Sequence, residues 1–348
     1  MTVLSRRQFA GSTLALALAI LARPALAADA PPLARVICDN DWSGDPDGLV
    51  QLAHHLLSPA VDIPLIVGSH LPGGGGWGSA TSATDAANEA NALLRVMRRE
   101  GNVPVVAGAE TKIAARDDWQ PSPATAAIVA EAMREDAAGP LVYCAGASLT
   151  ELALAWLAEP RIGPRLRLIW IGGNEHPGLA LPPPDPDPVE FNLGLDVIAA
   201  QVVFNESDIE IWQVPRDVYR QLLFSYAELA EMGESGPLGR YLADKIAGIE
   251  QALRRIRPDA VFPRTETYVM GDSPLVTLSA LHSFFNADPA SSFHDLRPTP
   301  HLNADGSYTP NPQGRPMRVY TRSDNRLTFA DMTAKFRAED RRLRALVP

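Results

Sequence analysis

The composition is that of an ordinary globular protein. Of the 348 residues, 46% are hydrophobic and 21% are charged, which excludes a disordered, collagen-like or coiled-coil chain. The formal net charge of −10 argues against a nucleic-acid-binding surface. With only Cys38 and Cys144, the chain lacks the disulfide framework of a small secreted protein.

Residues 1–27 have the pattern of an export signal. Arg6 and Arg7 precede a short apolar run, and residues 25–27 (Ala-Leu-Ala) form a small-residue cleavage site. The paired arginines resemble a twin-arginine signal, with an ordinary secretory signal or an uncleaved anchor as alternatives. We expect an exported, periplasmic or secreted protein whose residues 33–348 form one domain without a membrane span.

After the export signal, short apolar runs alternate with segments of helical spacing. Strands are predicted at 33–38, 63–67, 103–107, 141–145, 166–171 and 209–214, and helices at 49–57, 82–99, 124–133, 149–157 and 195–204. The strands are apolar throughout, as buried parallel strands are. We therefore predict an α/β fold with a doubly wound, mostly parallel sheet and helices on both faces.

The second half of the chain is more helical. One or two helices are predicted across 228–257, with a break near 233–237, and another helix over 274–285. The Asn303-Ala304-Asp305-Gly306 sequence is typical of a hairpin turn. We expect a small antiparallel appendage near the C-terminus.

The two cysteines lie near the ends of the first and fourth predicted strands. These strands can be neighbours in a doubly wound sheet, which would bring Cys38 close to Cys144. Residues on neighbouring strands rarely meet the geometry of a disulfide, and buried free cysteine is common. We expect two free thiols.

The strongest chemical signal is an acidic loop after the first strand. Asp39, Asp41, Asp45 and Asp47 lie within nine residues, and a hard cation such as calcium would relieve their mutual repulsion. The alternative is helix capping by Asp45 or Asp47. An EF-hand does not fit, because its twelfth position is Val50 rather than glutamate and a strand precedes the loop.

The acidic loop is one of four unusual segments at predicted strand ends. They cover residues 39–48, 69–79, 146–150 and 172–176. Ligands of an open parallel sheet bind beyond the carboxyl ends of the strands. We therefore expect an active site there.

Six segments, in chain order, carry the motifs of a known family. They are the Asp-x-Asp loop, 105–109 (Val-Val-Ala-Gly-Ala), 146–153 (Gly-Ala-Ser-Leu-Thr-Glu-Leu-Ala), Ile171-Gly172-Gly173, Glu190-Phe191-Asn192 and Met270-Gly271-Asp272-Ser273-Pro274. Together they resemble the inosine-uridine-preferring nucleoside hydrolase family over roughly residues 34–285. The resemblance implies calcium-dependent hydrolysis of the N-glycosidic bond of a nucleoside or related riboside.

The resemblance also implies a calcium site and a general base. The calcium ligands would be Asp41, the carbonyl group of Gly146, Asp272, and either Asp45 or Asp47. The remaining member of that last pair would take a proton from the attacking water. We favour Asp47 as the base because it lies at the predicted entry to a helix, but the reverse assignment stays open.

A further set of residues is assigned to the substrate. The resemblance implies that Glu190 and Asn192 grip the ribose, with a helix cap as the alternative explanation, and that Asp39 holds the neighbourhood of the substrate together. Trp42 and Trp77 flank the predicted site. We expect either ring to be able to stack on a leaving group.

Three departures from the family pattern concern specificity. Gly48 replaces the last aspartate of the loop, Gly271 replaces a histidine that assists the departing base, and residues 69–72 (Ser-His-Leu-Pro) replace an asparagine. His70 and His176 lie on loops at strand ends and are candidates for protonating the leaving group.

Two functions therefore remain open. The first is a calcium-dependent hydrolase of a small-molecule nucleoside or riboside. The second is an inactive or repurposed relative that binds a sugar-containing ligand. In either case we expect no nucleic-acid partner and no membrane association after signal cleavage, and we leave a homo-oligomer open.

Overall fold

The computed structural model describes residues 31–73, 78–137, 139–184, 187–256, 258–261, 263–283 and 292–346. The predicted export signal and Trp77 lie outside these residues. The chain from Leu33 onward forms one compact unit. No helix in the described ranges is both long enough and apolar enough to cross a membrane.

Eight of the described strands form the central sheet. In chain order the strands are β1 (Ala34–Asn40), β2 (Val61–Gly68), β3 (Val105–Ala107), β4 (Leu141–Ala145), β5 (Leu166–Ile171), β6 (Glu210–Val214), β7 (Leu223–Ser225), β8 (Thr267–Val269), β9 (Phe293–Pro298), β10 (His301–Leu302), β11 (Tyr308–Thr309) and β12 (Pro316–Arg322). The order in the sheet is β3-β2-β1-β4-β5-β6-β12-β9. All neighbouring pairs are parallel except β12 and β9, which confirms the predicted fold class.

Helices cover both faces of this sheet. They are α1 (Asp47–Leu56), α2 (Ser82–Val96), α3 (Thr125–Ala132), α4 (Thr150–Ala158), α5 (Phe191–Leu195), α6 (Val197–Gln201), α7 (Arg216–Tyr219), α8 (Tyr226–Ser235), α9 (Pro237–Ala247), α10 (Ile249–Ile256), α11 (Pro274–Ala280) and α12 (Asn325–Ala345). Alternate residues of a strand point to opposite faces. Accordingly, Val36 and Cys38 belong to one hydrophobic cluster and Ile37 to another.

The helices of the second half differ from the prediction. Three helices, α8, α9 and α10, occupy the region where one or two were expected, although the first break does fall between Ser235 and Pro237. Pro237 stands at the start of α9, where its fixed φ and missing N–H are tolerated. The helix predicted over 274–285 ends at Ala280, and residues 284–285 lie outside the described ranges.

The C-terminal region contains the expected antiparallel pair of strands. It also contributes more to the core than the predicted small appendage would. Strands β10 and β11 form the hairpin around the predicted turn. Strand β12 then joins the central sheet beside β6, and the 21-residue helix α12 follows. Buried Val319 and Phe336 anchor these two elements. The C-terminal region is therefore more than an appendage.

Strands β1 and β4 are neighbours, so the expected proximity of the cysteines is confirmed. Cys38 and Cys144 are paired in register, buried and free. Burial raises the pKa of both thiols, to about 12 for Cys144, so both stay protonated at neutral pH.

The order of the strands also fixes the place for a ligand. From β1 the chain proceeds to β2 and β3 on one side and then returns to β4 on the other. In an open parallel sheet, a crevice forms beyond the strand ends where the direction of winding reverses. Here that crevice lies at the carboxyl ends of β1 and β4.

Candidate active site

A cavity of about 300 Å³ lies beside the carboxyl ends of β1 and β4. Its described lining consists of Asp41, Gly44, Asp45, Asp47, Leu71, Gly146, Ile171, Glu190, Phe191, Asn192, Tyr219, Val269, Gly271 and Asp272. Five of these side chains are acidic, and none is Lys, Arg or His. The volume is at the lower end of the range for small-molecule sites.

The end of β1 and the start of α1 place the acidic loop at this cavity. The N–H of Gly44 donates to the Asp41 carbonyl at 2.7 Å, which closes a turn after the strand. Asp47 is the first residue of α1, where the helix dipole favours a negative charge. Asp41 and Asp47 are buried, whereas Asp45 is exposed at the mouth of the cavity.

Two hydrogen bonds join Asp272 to the loop, although it follows Asp47 by 225 positions. Its backbone N–H donates to Asp47 Oδ2 at 3.0 Å, and its Oδ2 accepts from Asn40 Nδ2 at 2.7 Å. These bonds place Asp47 and Asp272 in one cavity with Asp41 and Gly146. Asn40, which was not among the predicted site residues, therefore positions one of the carboxylates.

The cavity concentrates negative charge that no basic side chain in its described lining offsets. Burial, and then the charge of Asp272, raise the pKa of Asp41 and of Asp47 well above the ordinary range. Burial also raises the pKa of Asp272 to about 7, against the opposing effect of the Asn40 hydrogen bond. Such a group of oxygen donors suits a hard divalent cation, because bound positive charge would favour the ionised carboxylates.

The side chains are not gathered as the ligands of one ion would be. Among the described residues, no group of three or more His, Cys, Asp or Glu side chains converges in a way that could hold a metal. The oxygen donors of the cavity fit the predicted calcium site, but the arrangement of the side chains does not by itself mark one. Calcium binding therefore stays a proposal.

The packing of Asn40 accounts for one departure from the family pattern. A Cβ atom at Gly48 would lie 2.8 Å from Asn40 Nδ2, and one at Gly146 would lie 2.2 Å from the same atom. Real Cβ atoms do not approach other atoms so closely. With Asn40 in place, position 48 has no room for the aspartate that the resemblance places there.

Glu190 is held by four donors and faces the cavity. Its carboxylate accepts from the backbone N–H groups of Asn192 at 3.1 Å, Leu193 at 3.0 Å and Gly173 at 2.6 Å. The hydroxyl of Tyr219 donates to Oε1 at 2.8 Å. The helix-cap explanation is thus correct, and because Glu190 also lines the cavity, ribose binding remains a prediction beside it.

Asn192 connects the ends of two strands. Its Nδ2 donates to the carbonyl of Gly146 at 3.1 Å and to that of Ile171 at 2.8 Å. Since both amide hydrogens are used, only its side-chain oxygen is left for a ligand.

Two predicted substrate contacts are not at the cavity. Asp39 is fully buried, and its carboxylate accepts from the hydroxyls of Ser69 and Tyr143, so it holds strand ends together and does not line the cavity. Trp42 is 1% exposed and donates from Nε1 to the Val67 carbonyl at 3.0 Å. Its ring belongs to the core and cannot stack on a ligand.

The two candidate histidines also lie away from the cavity lining. His70 is buried, and neither of its ring nitrogens has a hydrogen-bond partner among the described residues. His176 is buried against Tyr308, with Nε2 2.8 Å from Gln213 Oε1. Neither is placed to protonate a leaving group in the described conformation.

Three aromatic residues of the site were not predicted. Phe191 is 51% exposed and lines the cavity. It lies inside the Glu-Phe-Asn motif, so the sequence did carry a signal that could have identified it as a site residue. Tyr219 lines the cavity from α7, and Tyr268 donates its hydroxyl to Asp45 Oδ1 from β8. No motif marks these two tyrosines, since the folded chain alone brings them to the loop.

Comparisons with known proteins agree with this arrangement. The family model described as "Inosine-uridine preferring nucleoside hydrolase" matches residues 36–337. No curated protein sequence matches the chain significantly.

Solved structures share the fold at low sequence identity. They include a purine-preferring ribonucleoside hydrolase from Gardnerella vaginalis (TM-score 0.65, 17% identity, 88% of this chain and 99% of that one). A plant nucleoside hydrolase has a TM-score of 0.65 and 20% identity over 88% of this chain and 100% of its own. An inosine-uridine preferring nucleoside hydrolase from Bacillus anthracis has a TM-score of 0.60 and 16% identity over 87% of this chain and 99% of its own.

Proposed function

The chain belongs to the inosine-uridine preferring nucleoside hydrolase family, and from this premise we propose that it hydrolyses nucleosides or related ribosides with calcium and an aspartate base. Membership of the family makes it a glycosidase acting on N-glycosyl compounds. The observation that carries the finer proposal is one cavity that joins the acidic loop, Asp272 and the Glu190–Asn192 pair.

Asp47 is the proposed general base. One of its oxygens accepts the Asp272 N–H, and the other accepts no hydrogen bond from a described residue. It can therefore take the proton of a water that attacks the anomeric carbon, a step worth about 10²–10⁴-fold in rate. Desolvation raises the pKa of Asp45 to about 6, and the hydrogen bond from the Tyr268 hydroxyl opposes this rise. Asp45 is the weaker candidate, because that hydroxyl already occupies one of its oxygens.

The other acidic side chains have a role at the sugar. Cleavage of a glycosidic bond develops positive charge on the ring, and Asp41, Asp272 and Glu190 provide negative charge beside it. The proposed ligands of a divalent cation are Asp41, Asp272 and the Gly146 carbonyl. Asp45 is the fourth ligand if Asp47 is the base, and Asp47 takes that place in the reverse assignment. When bound, such a cation would orient the ribose hydroxyls and lower the pKa of a water.

Release of free ribose tests the proposed activity. The purified protein is incubated with purine and pyrimidine ribonucleosides, with added calcium and, in parallel, after removal of divalent cations by EDTA. We expect ribose release from at least one nucleoside with calcium and little release after EDTA. Tight riboside binding without any ribose release would instead support the repurposed, sugar-binding relative.

Calcium binding itself is tested by calorimetry. We expect titration with calcium to reveal a site in the unmodified protein and none in Asp272→Ala. Asp272→Asn retains an acceptor for Asn40, so it separates the loss of charge from loss of folding. Asp305→Ala, on the exposed hairpin turn, is the matched control. Unchanged calcium affinity in Asp272→Ala would refute this ligand assignment.

We further propose that the chain is exported by the twin-arginine route to the periplasm or beyond. The paired arginines and the Ala-Leu-Ala sequence support this. Replacement of Arg6 and Arg7 with lysine is expected to keep the uncleaved chain in the cytoplasm. Cell fractionation and intact mass measure the outcome, and normal export of that variant would contradict the twin-arginine assignment.

A further inference from the structure

The charge of the cavity limits which leaving groups it suits. Five carboxylates line it, and one divalent cation would offset only two of these negative charges. The guanidinium of Arg216, on the helix that carries Tyr219, is bound by both carboxylate oxygens of Glu175 at 2.8 and 2.7 Å. Its charge is thus compensated outside the cavity, and a ligand in the cavity meets a negative field.

In the proposed function, no side chain of the described lining is left free to protonate a leaving group. A neutral nucleoside base departs as an anion unless it receives a proton, which calls for an acid. The hydroxyl of Tyr219 is already donated to Glu190. Both amide hydrogens of Asn192 go to backbone carbonyls. The carboxylates already have roles in the proposed function. Asp47 is the base, and Asp41, Asp45 and Asp272 are ligands of the cation. Glu190 is held by four hydrogen-bond donors.

Two other residues border the space beside Gly271. A Cβ atom at this position would lie 3.3 Å from Tyr219 Cδ2 and 3.3 Å from Asp47 Oδ2. The tyrosine ring and the carboxylate therefore occupy the surroundings of the position where the resemblance places a histidine. Since His70 and His176 lie elsewhere, no described histidine replaces it.

A leaving group with a fixed positive charge does not need that acid. When its C–N bond breaks, both bonding electrons move to the ring nitrogen and the ring departs neutral. Water supplies the new C–O bond, and its proton goes to the aspartate base. The products are ribose, a neutral heteroaromatic ring and one proton.

The mouth of the cavity offers such a ring a suitable surface. Phe191 is exposed and lines the same cavity as the five carboxylates. An aromatic face attracts a cation held within about 6 Å of its centre. We propose that this site prefers ribosides of cationic heteroaromatic rings, such as N-alkylated purines and pyridinium ribosides, over neutral nucleosides. This inference rests on the proposed hydrolase function.

Matched substrates that differ by one methyl group and one charge test the preference. Guanosine is compared with 7-methylguanosine, inosine with 7-methylinosine, and nicotinamide riboside is added as a pyridinium riboside. Each kcat/KM is divided by the uncatalysed rate in the same buffer, which removes the greater intrinsic lability of the cations. We expect the corrected ratio to favour each cation by about 10-fold or more.

Free rings provide a second readout that involves no bond cleavage. The 1-methylnicotinamide cation is expected to inhibit competitively at a concentration about 10-fold below that of neutral nicotinamide, and added salt should reduce this difference. Phe191→Leu is expected to lower the cation preference several-fold. Phe293→Leu, which replaces an exposed ring on β9, should leave it unchanged.

The outcomes separate this inference from the proposed function. Corrected kcat/KM values that are equal for both members of each pair, or higher for the neutral ones, would overturn the cation preference and leave the hydrolase intact. Absence of ribose release from every cationic and neutral riboside would overturn both.

Discussion

Asp47→Asn is expected to lower turnover of a saturating riboside by about 100-fold or more, the usual scale for a lost general base. The asparagine keeps the size of the side chain and an oxygen that can accept the Asp272 N–H, a bond of 3.0 Å in the native protein. It cannot take a proton from water. Ligand binding through Glu190 and Asn192 should persist, so the loss should appear in kcat and only weakly in KM.

Asp45→Asn is the matched comparison for this prediction. It removes the other candidate carboxylate from the same loop while Asp47 stays in place. If Asp47 is the base and Asp45 a ligand of the cation, Asp45→Asn should need more calcium but retain most of the turnover once calcium is saturating. A 100-fold loss in Asp45→Asn, together with nearly full activity in Asp47→Asn, would reverse the assignment.

Asp196→Ala is expected to reduce the free energy of unfolding by roughly 3 kcal/mol or more. The Asp196 carboxylate is 1% exposed and caps α6 by accepting the Ala199 N–H at 2.9 Å. It also accepts the Ile113 N–H and the Thr150 hydroxyl, each at 2.8 Å. Alanine would leave these buried donors without a partner, which costs about 1–3 kcal/mol for a typical group.

Urea denaturation measures this effect, with Asp62→Ala as its control. Asp62 is exposed on β2, and an exposed substitution usually changes stability by no more than about 0.5 kcal/mol. An Asp196→Ala variant as stable as Asp62→Ala would show that the three hydrogen bonds contribute little. Because Asp196 does not line the cavity, residual activity should track the folded fraction.

The fold and the acidic residues of the site could be predicted from local sequence patterns. Strand β4 and strand β5 were predicted to the residue, because apolar runs bounded by turn residues are a local signal. The Asp-x-Asp loop after β1 and the Glu190–Asn192 entry to α5 were identified for the same reason. Parallel strands end at one edge of the sheet, and residues from several of the motifs at strand ends line one cavity there.

The direction of a side chain in an irregular segment could not be read in this way. Trp42 and His70 each follow a strand, yet the turns that hold them direct both side chains into the interior. A strand has a period of two residues that fixes which face each side chain takes. No such period exists in a loop, and the proximity of these residues to the motifs was therefore misleading.

The sequence by itself determined the family, the strand and helix pattern and the carboxylates that could do the chemistry. Only the tertiary structure decided what surrounds those carboxylates. Tyr219 lines the cavity, while Tyr268 and Asn40 bind two of its carboxylates, as in the 2.7 Å bond from Asn40 to Asp272. Packing of distant elements brings these residues together. A sequence motif reflects only interactions between residues that are close together along the chain. Contacts between residues more than 200 positions apart depend on the packing of the whole sheet and its helices.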